Sequence, residues 1–97
     1  MKNEAGRTAL HLAAAAGKTI VVNSLLNQGA DISVIDNAGN TPLHLACKKH
    51  QFEVIKVLLA KTPRHFDYLL KNQDNNTPYM EYLAAQKKHH FVKVAKP

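Results

Sequence analysis

A cysteine and two histidines near the middle of the chain have the spacing of residues that can act together. His44, Cys47 and His50 lie three residues apart, so a helix would place all three near one face. A thiolate beside a histidine can act as a nucleophile, and a zinc site begun here could be completed by His89 and His90. Structural zinc sites usually have paired cysteines, whereas this chain has one. We favour a buried thiol acting as a small apolar residue, with no metal, no cofactor and no catalytic residue; the zinc site is the alternative.

The elements that would position these residues begin at a motif that recurs along the chain. Thr41–Ala46 (TPLHLA) supplies a threonine that can cap a helix and a proline suited to the first helical position. Thr8–Ala13 (TALHLA) lies 33 positions earlier, and a weaker copy that keeps the Thr-Pro pair, Thr77–Met80 (TPYM), lies 36 positions later. The recurrence indicates an internal repeat.

A Thr-Pro-Leu-His-x-Ala motif with a period of 33 residues is the signature of the ankyrin repeat. The chain resembles this family from about Asn3 to Ala95. The resemblance implies an all-α solenoid of stacked antiparallel helix pairs with short β-hairpin-like loops. It implies one domain over 1–97, with repeats at approximately 3–35, 36–71 and 72–97, the third degenerate and incomplete. In this family the motif histidine, here His11 and His44, hydrogen-bonds near its threonine and braces adjacent loops.

Local signals give the expected bounds of the helices. We predict helices over 9–16, 20–28, 42–49 and 52–61, with Gly17 ending the first and Thr19 capping the second. His50 stands where the first repeat has Gly17, which raises the question of a left-handed backbone there. The second helix should pack through an apolar stripe formed by Ile20, Val21, Leu25 and Leu26.

The pattern departs from its period after the second repeat. An insertion of three residues between Thr62 and Asn72 predicts one or two extra helical turns there. The third repeat has Glu81 and Tyr82 where the second has leucine and alanine, which predicts a poor fit at a tight helix interface. We also expect the first helix of this repeat to be about one turn longer than its counterparts.

Both ends of the chain lack the polar capping repeats that solenoids usually need. Leu10, Ile20 and Val21 would then present an open apolar end. We expect either that the chain is a piece of a longer protein or that a partner or second copy covers this end. We expect a monomer unless the open end self-associates.

Composition narrows the function classes further. Thirteen Lys and Arg against seven Asp and Glu give a net charge of +6, which favours acidic partners. The sequence has no apolar run long enough to cross a membrane and no signal peptide. A single cysteine suits a reducing compartment. We therefore expect a cytoplasmic protein, or one in a host cytosol if it is a secreted effector.

The resemblance implies a non-catalytic module that binds another protein through its loop tips and the concave face of its first helices. One alternative is the targeting region of a larger enzyme or secreted bacterial effector; another is a basic module for nucleic acid or anionic membrane. Lysine pairs without interleaved aromatic residues argue against nucleic acid and favour an acidic protein partner. The family pattern assigns partner binding to Glu4, Ala5, Arg7, Ala15, Ala16, Asn37, Ala38, Asn40, Lys48, Lys49, Gln73, Asp74, Asn76, Lys87 and Lys88.

Overall fold

The fold is built from helices joined by turns. The computed structural model describes residues 2–61 and 70–85, in which no strand occurs. Helix α1 spans Ala9–Ala16, α2 spans Thr19–Asn27, α3 spans Pro42–Lys48 and α4 spans Phe52–Lys61. A fifth helix, α5, begins at Pro78, and its described part covers 78–85. The all-α prediction is confirmed.

The helices stack as successive pairs. Helix α1 packs on α2 and α3 on α4, and between the pairs α1 packs on α3 and α2 on α4. The core between them is apolar and includes small side chains, which let the helix backbones approach closely. Its buried members are Leu10, Ala13, Ala14, Val22, Leu43, Ala46, Cys47, Val54 and Leu58.

The two motif threonines start their helices by reciprocal hydrogen bonding. The Thr8 hydroxyl accepts the backbone N–H of His11, and the Thr41 hydroxyl accepts that of His44. In return each histidine ring accepts the backbone N–H of its threonine. This is a capping box in which histidine takes the place usually held by Glu or Gln. The motif therefore fixes where α1 and α3 begin.

The turn after α1 favours glycine. Gly17 has a φ of 75°, and a Cβ placed on it would lie 2.4 Å from the side-chain oxygen of Gln51. The amide of Gln51 donates to the carbonyl of Ala15 at 2.9 Å, so it occupies that space. At the equivalent turn of the second repeat His50 itself adopts a φ of 56°. The left-handed conformation raised as a question by the sequence is therefore present.

Helix α2 differs from the prediction in its start and its buried face. Thr19 is its first helical residue and Lys18 its N-cap, so the assignment of Thr19 as cap is wrong. Val22 is the buried residue of this helix, whereas Ile20 and Val21 are exposed. The predicted apolar stripe is therefore wrong for Ile20 and Val21 and correct for Leu25 and Leu26, which are partly buried and pack against the core. Leu10, expected at the open end, is buried in that core.

The other helix bounds agree closely with the sequence signals. Helix α1 has the predicted ends, α4 begins where predicted and is helical as far as Lys61, the last residue described before 70, and α3 ends one residue earlier than predicted. The extra turns expected after Thr62 and the longer first helix of the third repeat fall on 62–69 and 86–97, outside the described residues.

Candidate functional site

Three loops, 3–7, 36–40 and 72–76, have the same internal geometry. Each begins with Asn3, Asp36 or Asn72, whose side-chain Oδ1 accepts the backbone N–H groups two and four residues later. These six hydrogen bonds have lengths of 2.8–3.0 Å. A short polar side chain that bonds its own backbone in this way fixes a turn. In each loop the backbone N–H of the first residue also donates to the carbonyl of the fifth, so each loop is closed by both side-chain and backbone hydrogen bonds.

Hydrogen bonds also join each loop to the next. The N–H of Asn37 donates to the carbonyl of Ala5 at 2.9 Å, and the N–H of Gln73 donates to that of Ala38 at 2.8 Å. The side-chain amides of the same two residues donate to the carbonyls of Glu4 and Asn37. The loop tips thus form one continuous row whose outer side chains face solvent.

The motif histidines connect each helix to the following loop. In His11, Nδ1 lies 3.1 Å from the N–H of Thr8, while Nε2 lies 2.8 Å from the carbonyl oxygen of Asn40. In His44 the partners are Thr41 at 3.1 Å and Asn76 at 3.0 Å. Because a carbonyl only accepts and a backbone N–H only donates, each ring is neutral with its proton on Nε2. The bracing role expected for both histidines is confirmed.

Burial keeps these imidazoles uncharged. Desolvation lowers the pKa of His11 and of His44 below 6.5, and it outweighs the backbone carbonyls of Asn40 and Asn76, which favour the charged form. Neither ring has a free nitrogen, since both nitrogens of each are hydrogen-bonded. Both are therefore structural groups.

An ion pair joins the first two loops. The Nε of Arg7 lies 3.1 Å from Oδ2 of Asp36, whose side chain is almost fully buried. Burial alone would raise the pKa of this carboxyl. Hydrogen bonds from the Asn40 N–H, Arg7 and the Ala38 N–H together have the larger, opposite effect, so the pKa lies below its usual 3.8. Arg7 was predicted to face a partner; its guanidinium is partly exposed and already held within the chain.

The third repeat replaces histidine bracing with a carboxylate network. Met80 occupies the histidine position and has no ring nitrogen to donate or accept. Instead Oε2 of Glu81 accepts the side-chain amide of Asn72 at 2.7 Å and that of Asn76 at 3.2 Å. Asn72 also donates to Oδ1 of Asn40 at 2.7 Å. The expected poor fit of Glu81 is therefore wrong, because two amides satisfy its buried oxygen.

The structure exposes most of the residues assigned to partner binding. Asn40 is buried, with 8% of its surface exposed, because its carbonyl and its side chain are both hydrogen-bonded to neighbouring residues. This residue therefore does not belong to the solvent-facing part of the loop, contrary to the prediction. Lys87 and Lys88 lie outside the described residues. Arg7, Ala15 and Asn76 are partly exposed. The exposed residues are Glu4, Ala5, Ala16, Asn37, Ala38, Lys48, Lys49, Gln73 and Asp74.

Cys47 does not form a reactive pair with its neighbouring histidines. Desolvation raises the pKa of its thiol to about 12, so it carries its proton. His44 is occupied at both ring nitrogens, and Nε2 of His50 lies 3.3 Å from the carbonyl of Tyr82. Within 2–61 and 70–85 no group of three or more His, Cys, Asp or Glu has an arrangement suited to a metal. His89 and His90, which would complete a zinc site, lie outside the described residues.

An apolar groove that sequence reasoning missed lies between α3, α4 and α5. Its volume is about 510 Å³. The ring of His50 contacts two of its lining residues: it stacks on Tyr82 with centroids 4.6 Å apart and lies 5.7 Å from the ring of Phe52. The available signals were Tyr82 in place of alanine and Phe52 at a position where the first repeat has threonine. The groove is lined by Leu43, Cys47, Phe52, Ile55, Leu59, Pro78, Tyr79 and Tyr82.

None of the helices in the described part of the chain has the length and apolar character needed to cross a membrane.

Comparison with known proteins agrees with the repeat geometry. The rat Nuclear factor NF-kappa-B p105 subunit is 44% identical over 62 residues, which are 64% of this chain and 6% of that protein. The mouse NF-kappa-B inhibitor alpha is 34% identical over 85 residues, 87% of this chain and 27% of that protein. A putative ankyrin repeat protein of Rickettsia bellii is 40% identical over 72 residues, 70% of this chain and 40% of that protein.

The chain spans less than half the length of each of these relatives. A family model described as three copies of the ankyrin repeat matches residues 1–72, most of the chain. The matched region contains the two capping boxes, the bridge from His11 to Asn40 and the first two loops of the row described above. The chain therefore belongs to the ankyrin-repeat family.

Proposed function

We propose that this chain binds a partner protein through its row of loop tips and the adjoining ends of its first helices. Ankyrin repeats generally act as protein–protein interaction modules, which gives the class of function. We call the exposed set the tip-and-groove surface. It consists of Glu4, Ala5, Ala16, Asn37, Ala38, Lys48, Lys49, Gln73 and Asp74.

The observation that carries the proposal is the hydrogen bonding between successive loops. The bond from Asn37 to Ala5 and the bond from Gln73 to Ala38 fix the spacing of the three tips before any partner arrives. A surface already held in its binding geometry loses little conformational entropy on association, so more of the contact energy appears as affinity. Exposed side chains on a fixed backbone are suited to a folded protein partner.

Charge favours a partner with an acidic surface. Lys48 and Lys49 end α3, are exposed, and make no ion pair with any described residue. Two unpaired ammonium groups at the edge of an interface raise the association rate with an acidic protein and disfavour basic ones. This lysine pair, together with the net charge of +6, makes the surface positively charged.

The proposal is for a binding module without chemistry of its own. His11 and His44 use both ring nitrogens for bracing, and the thiol of Cys47 is protonated and buried. These candidate catalytic groups therefore have structural roles. A buried reduced thiol suits the cytoplasm, where we place the protein.

A comparative capture experiment tests the proposal. Three immobilised forms are exposed to the same lysate: the wild type, Lys48→Glu with Lys49→Glu, and a control with Lys18→Glu and Lys61→Glu. The control makes the same change in net charge at two exposed lysines outside the tip-and-groove surface. We expect at least one protein to be retained by the wild type and control and lost by the Lys48/Lys49 variant. Equal retention by all three forms would contradict the assignment of the surface.

The same forms separate protein binding from the nucleic-acid and membrane alternatives. Labelled duplex DNA and vesicles containing anionic lipid are titrated at rising salt concentration. A basic module would bind both tightly at low salt and lose affinity steeply as salt rises. We expect only weak binding that the control variant reduces as much as the Lys48/Lys49 variant does.

A second candidate is that the chain is the targeting part of a longer protein, such as an enzyme or a secreted bacterial effector. It is favoured by the small share of each relative that the chain covers, from 6% to 40% for those named above. In that case 1–97 remains the single repeat domain proposed here, and any catalytic activity belongs to another segment. Identifying the complete reading frame tests this.

A further inference from the structure

The residues that open the second and third loops differ in the side-chain atom that faces the preceding loop. Asp36 opens loop 36–40 and Asn72 opens loop 72–76, and each uses Oδ1 to accept two backbone N–H groups of its own loop. The remaining atom is a carboxylate oxygen in Asp36 and an amide nitrogen in Asn72. In both residues this second atom bonds to the preceding loop. The two loops therefore share their internal hydrogen bonds and differ in how they join the loop before them.

Each of these second atoms matches the fifth residue of the preceding loop. Nε of Arg7 is a donor, and it lies 3.1 Å from the acceptor Oδ2 of Asp36. Oδ1 of Asn40 is an acceptor, and it lies 2.7 Å from the donor Nδ2 of Asn72. Exchanging aspartate and asparagine between the two loops would bring donor against donor at one junction and acceptor against acceptor at the other.

Glu81 makes the requirement for a donor at position 72 stricter. Its Oε2 lies 2.7 Å from Nδ2 of Asn72, and both residues are buried. An amide nitrogen has two hydrogens, and the contacts with Asn40 and Glu81 use both of them. Turning the amide over would point its nitrogen at two backbone N–H groups, so the network sets its orientation. An aspartate at position 72 would instead bring a second negative charge against the buried carboxylate, and the two would repel.

The same carboxylate oxygen also holds the last residue of the third loop. Oε2 of Glu81 accepts the side-chain amide of Asn76 at 3.2 Å, in addition to that of Asn72. Helix α5 is thereby bonded to both ends of loop 72–76 through one side chain. The equivalent residue of the second repeat is Leu45, which has no polar side-chain atom. Holding a loop by a carboxylate at this helix position therefore distinguishes the third repeat from the second.

The exposed tip of the third loop lies between two sets of hydrogen bonds. On one side the N–H and the side-chain amide of Gln73 donate to the carbonyls of Ala38 and Asn37, both at 2.8 Å. On the other side the N–H of Asp74 donates to Oδ1 of Asn72 at 3.0 Å. The side chains of Gln73 and Asp74 are exposed. Their place in the row of tips therefore depends on the second loop and on the buried side chain of Asn72.

We propose that Asn72 and Glu81 are a pair of positioning residues that fix the third loop tip for a partner protein. Both are buried, so they act through Gln73 and Asp74 and do not touch the partner themselves. A tip that is fixed before association loses less conformational entropy when the partner binds. The role in binding rests on the function proposed above, whereas the positioning is a property of the free chain and is measured without a partner.

The first test is backbone amide hydrogen exchange of the free 97-residue chain, followed by NMR. Asn72→Asp keeps the oxygen that closes the loop, as Asp36 shows, and removes only the donor that faces Glu81. We expect the protection of the N–H groups of Gln73 and Asn76 to fall by about tenfold or more, because buried acceptors lose their partner. The protection of loop 36–40 should change much less. A general loss of stability would instead lower the protection of both loops and of α3 alike.

Two further variants make this result specific to the pair. Asn3→Asp is the matched control, since Asn3 makes the same turn but is exposed, and it should leave loop 72–76 as protected as in the wild type. Asn72→Asp combined with Glu81→Gln removes the charge that faces the new carboxylate and supplies an amide donor, so it should recover part of the lost protection. If Asn72→Asp alone does not fold, the combined variant should fold. No recovery in the combined variant, or an equal loss in both loops, would overturn the proposal.

The second test is calorimetry with the protein that the wild type retains in the capture experiment. Asn72→Asp should bind it more weakly than the wild type does, and the combined variant should regain part of the affinity. Unchanged affinity in a variant whose third loop has lost protection would overturn the role of the pair in binding. Because the exchange measurement uses the chain alone, a failure of the positioning pair is distinguishable from a failure of the proposed function.

Discussion

The Nε2 atom of His11 lies 2.8 Å from the carbonyl oxygen of Asn40, although the two residues are 29 positions apart in sequence. His44 makes the same contact with Asn76 at 3.0 Å. Each ring also caps the start of its own helix through its threonine. One side chain thus sets where a helix begins and holds the following loop, so the helix stack and the row of loop tips are coupled by the same group.

We expect the stability of the fold to fall below about pH 6.5. The pKa values of His11 and His44 are lowered in the folded state, chiefly by desolvation, so below 6.5 the unfolded chain binds more protons. Stability is fully present above this value and is lost as pH falls through it. The loss has an upper limit of about 1.4 kcal/mol per pH unit for each histidine.

Urea unfolding between pH 8 and pH 5, a range above the titration of Asp36, measures this dependence. His44→Gln removes one of the two buried imidazoles and should show about half the slope of the wild type. A stability that is constant or rises toward pH 5 would show that these rings are not held neutral by the fold.

Replacing His44 by alanine should destabilise the fold by about 2–4 kcal/mol. The change leaves the N–H of Thr41 and the carbonyl of Asn76 without their partner, and each such group costs about 1–3 kcal/mol when buried. Met80→Ala is the matched control, because Met80 holds the same motif position and is exposed. Its effect should be within about 0.5 kcal/mol of the wild type. Equal losses in the two variants, measured by urea unfolding, would contradict the bracing role.

Restoring leucine at position 81 should weaken the fold, although leucine is the residue of the second repeat there. Glu81→Leu removes the acceptor shared by the amides of Asn72 and Asn76, at a cost of about 1–3 kcal/mol. Glu81→Gln keeps a side-chain oxygen in place and should lose less. Thermal unfolding of both variants tests whether position 81 stabilises the fold through hydrogen bonds or through apolar packing. A leucine variant more stable than the wild type would contradict the hydrogen-bond explanation.

The thiol of Cys47 should resist alkylation in the native state. Its pKa of about 12 leaves almost no thiolate at pH 8, and the side chain is buried. The rate of iodoacetamide labelling, followed by mass spectrometry, should rise sharply with urea and follow unfolding. Rapid labelling of the folded chain, or a cobalt–thiolate absorbance band on adding Co²⁺, would instead revive the reactive or metal-binding alternatives.

The repeat motif made most of the fold predictable, because its signals are local. Thr8, Thr41 and Gly17 fix helix ends through hydrogen bonds to nearby backbone groups, and α1 has the predicted bounds, while α3 and α4 begin where predicted. The face of α2 was not predictable in the same way. Whether Val21 or Val22 is buried depends on which sides of the helix a neighbouring pair covers, and this is a property of the stack.

The candidate site was predictable in outline but not in its exceptions. Alignment of the repeats placed the loop tips at the surface, where Asn37 and Gln73 lie. Asn40 is buried because Asn72, 32 positions later, takes its side chain into a network that ends at Glu81. The sequence near Asn40 and the sequence near Asn72 do not indicate that these two side chains are in contact. The apolar groove likewise depends on residues from three helices.

The most direct test of the account is the affinity of the chain for a protein captured as described above, measured by isothermal titration calorimetry with purified components. Lys48→Glu with Lys49→Glu should weaken binding by about tenfold or more, a loss of about 1.4 kcal/mol, and leave the melting temperature nearly unchanged. The Lys18→Glu and Lys61→Glu control should bind as the wild type does. Unchanged affinity in the first variant, or an equal loss in both, would contradict the tip-and-groove surface.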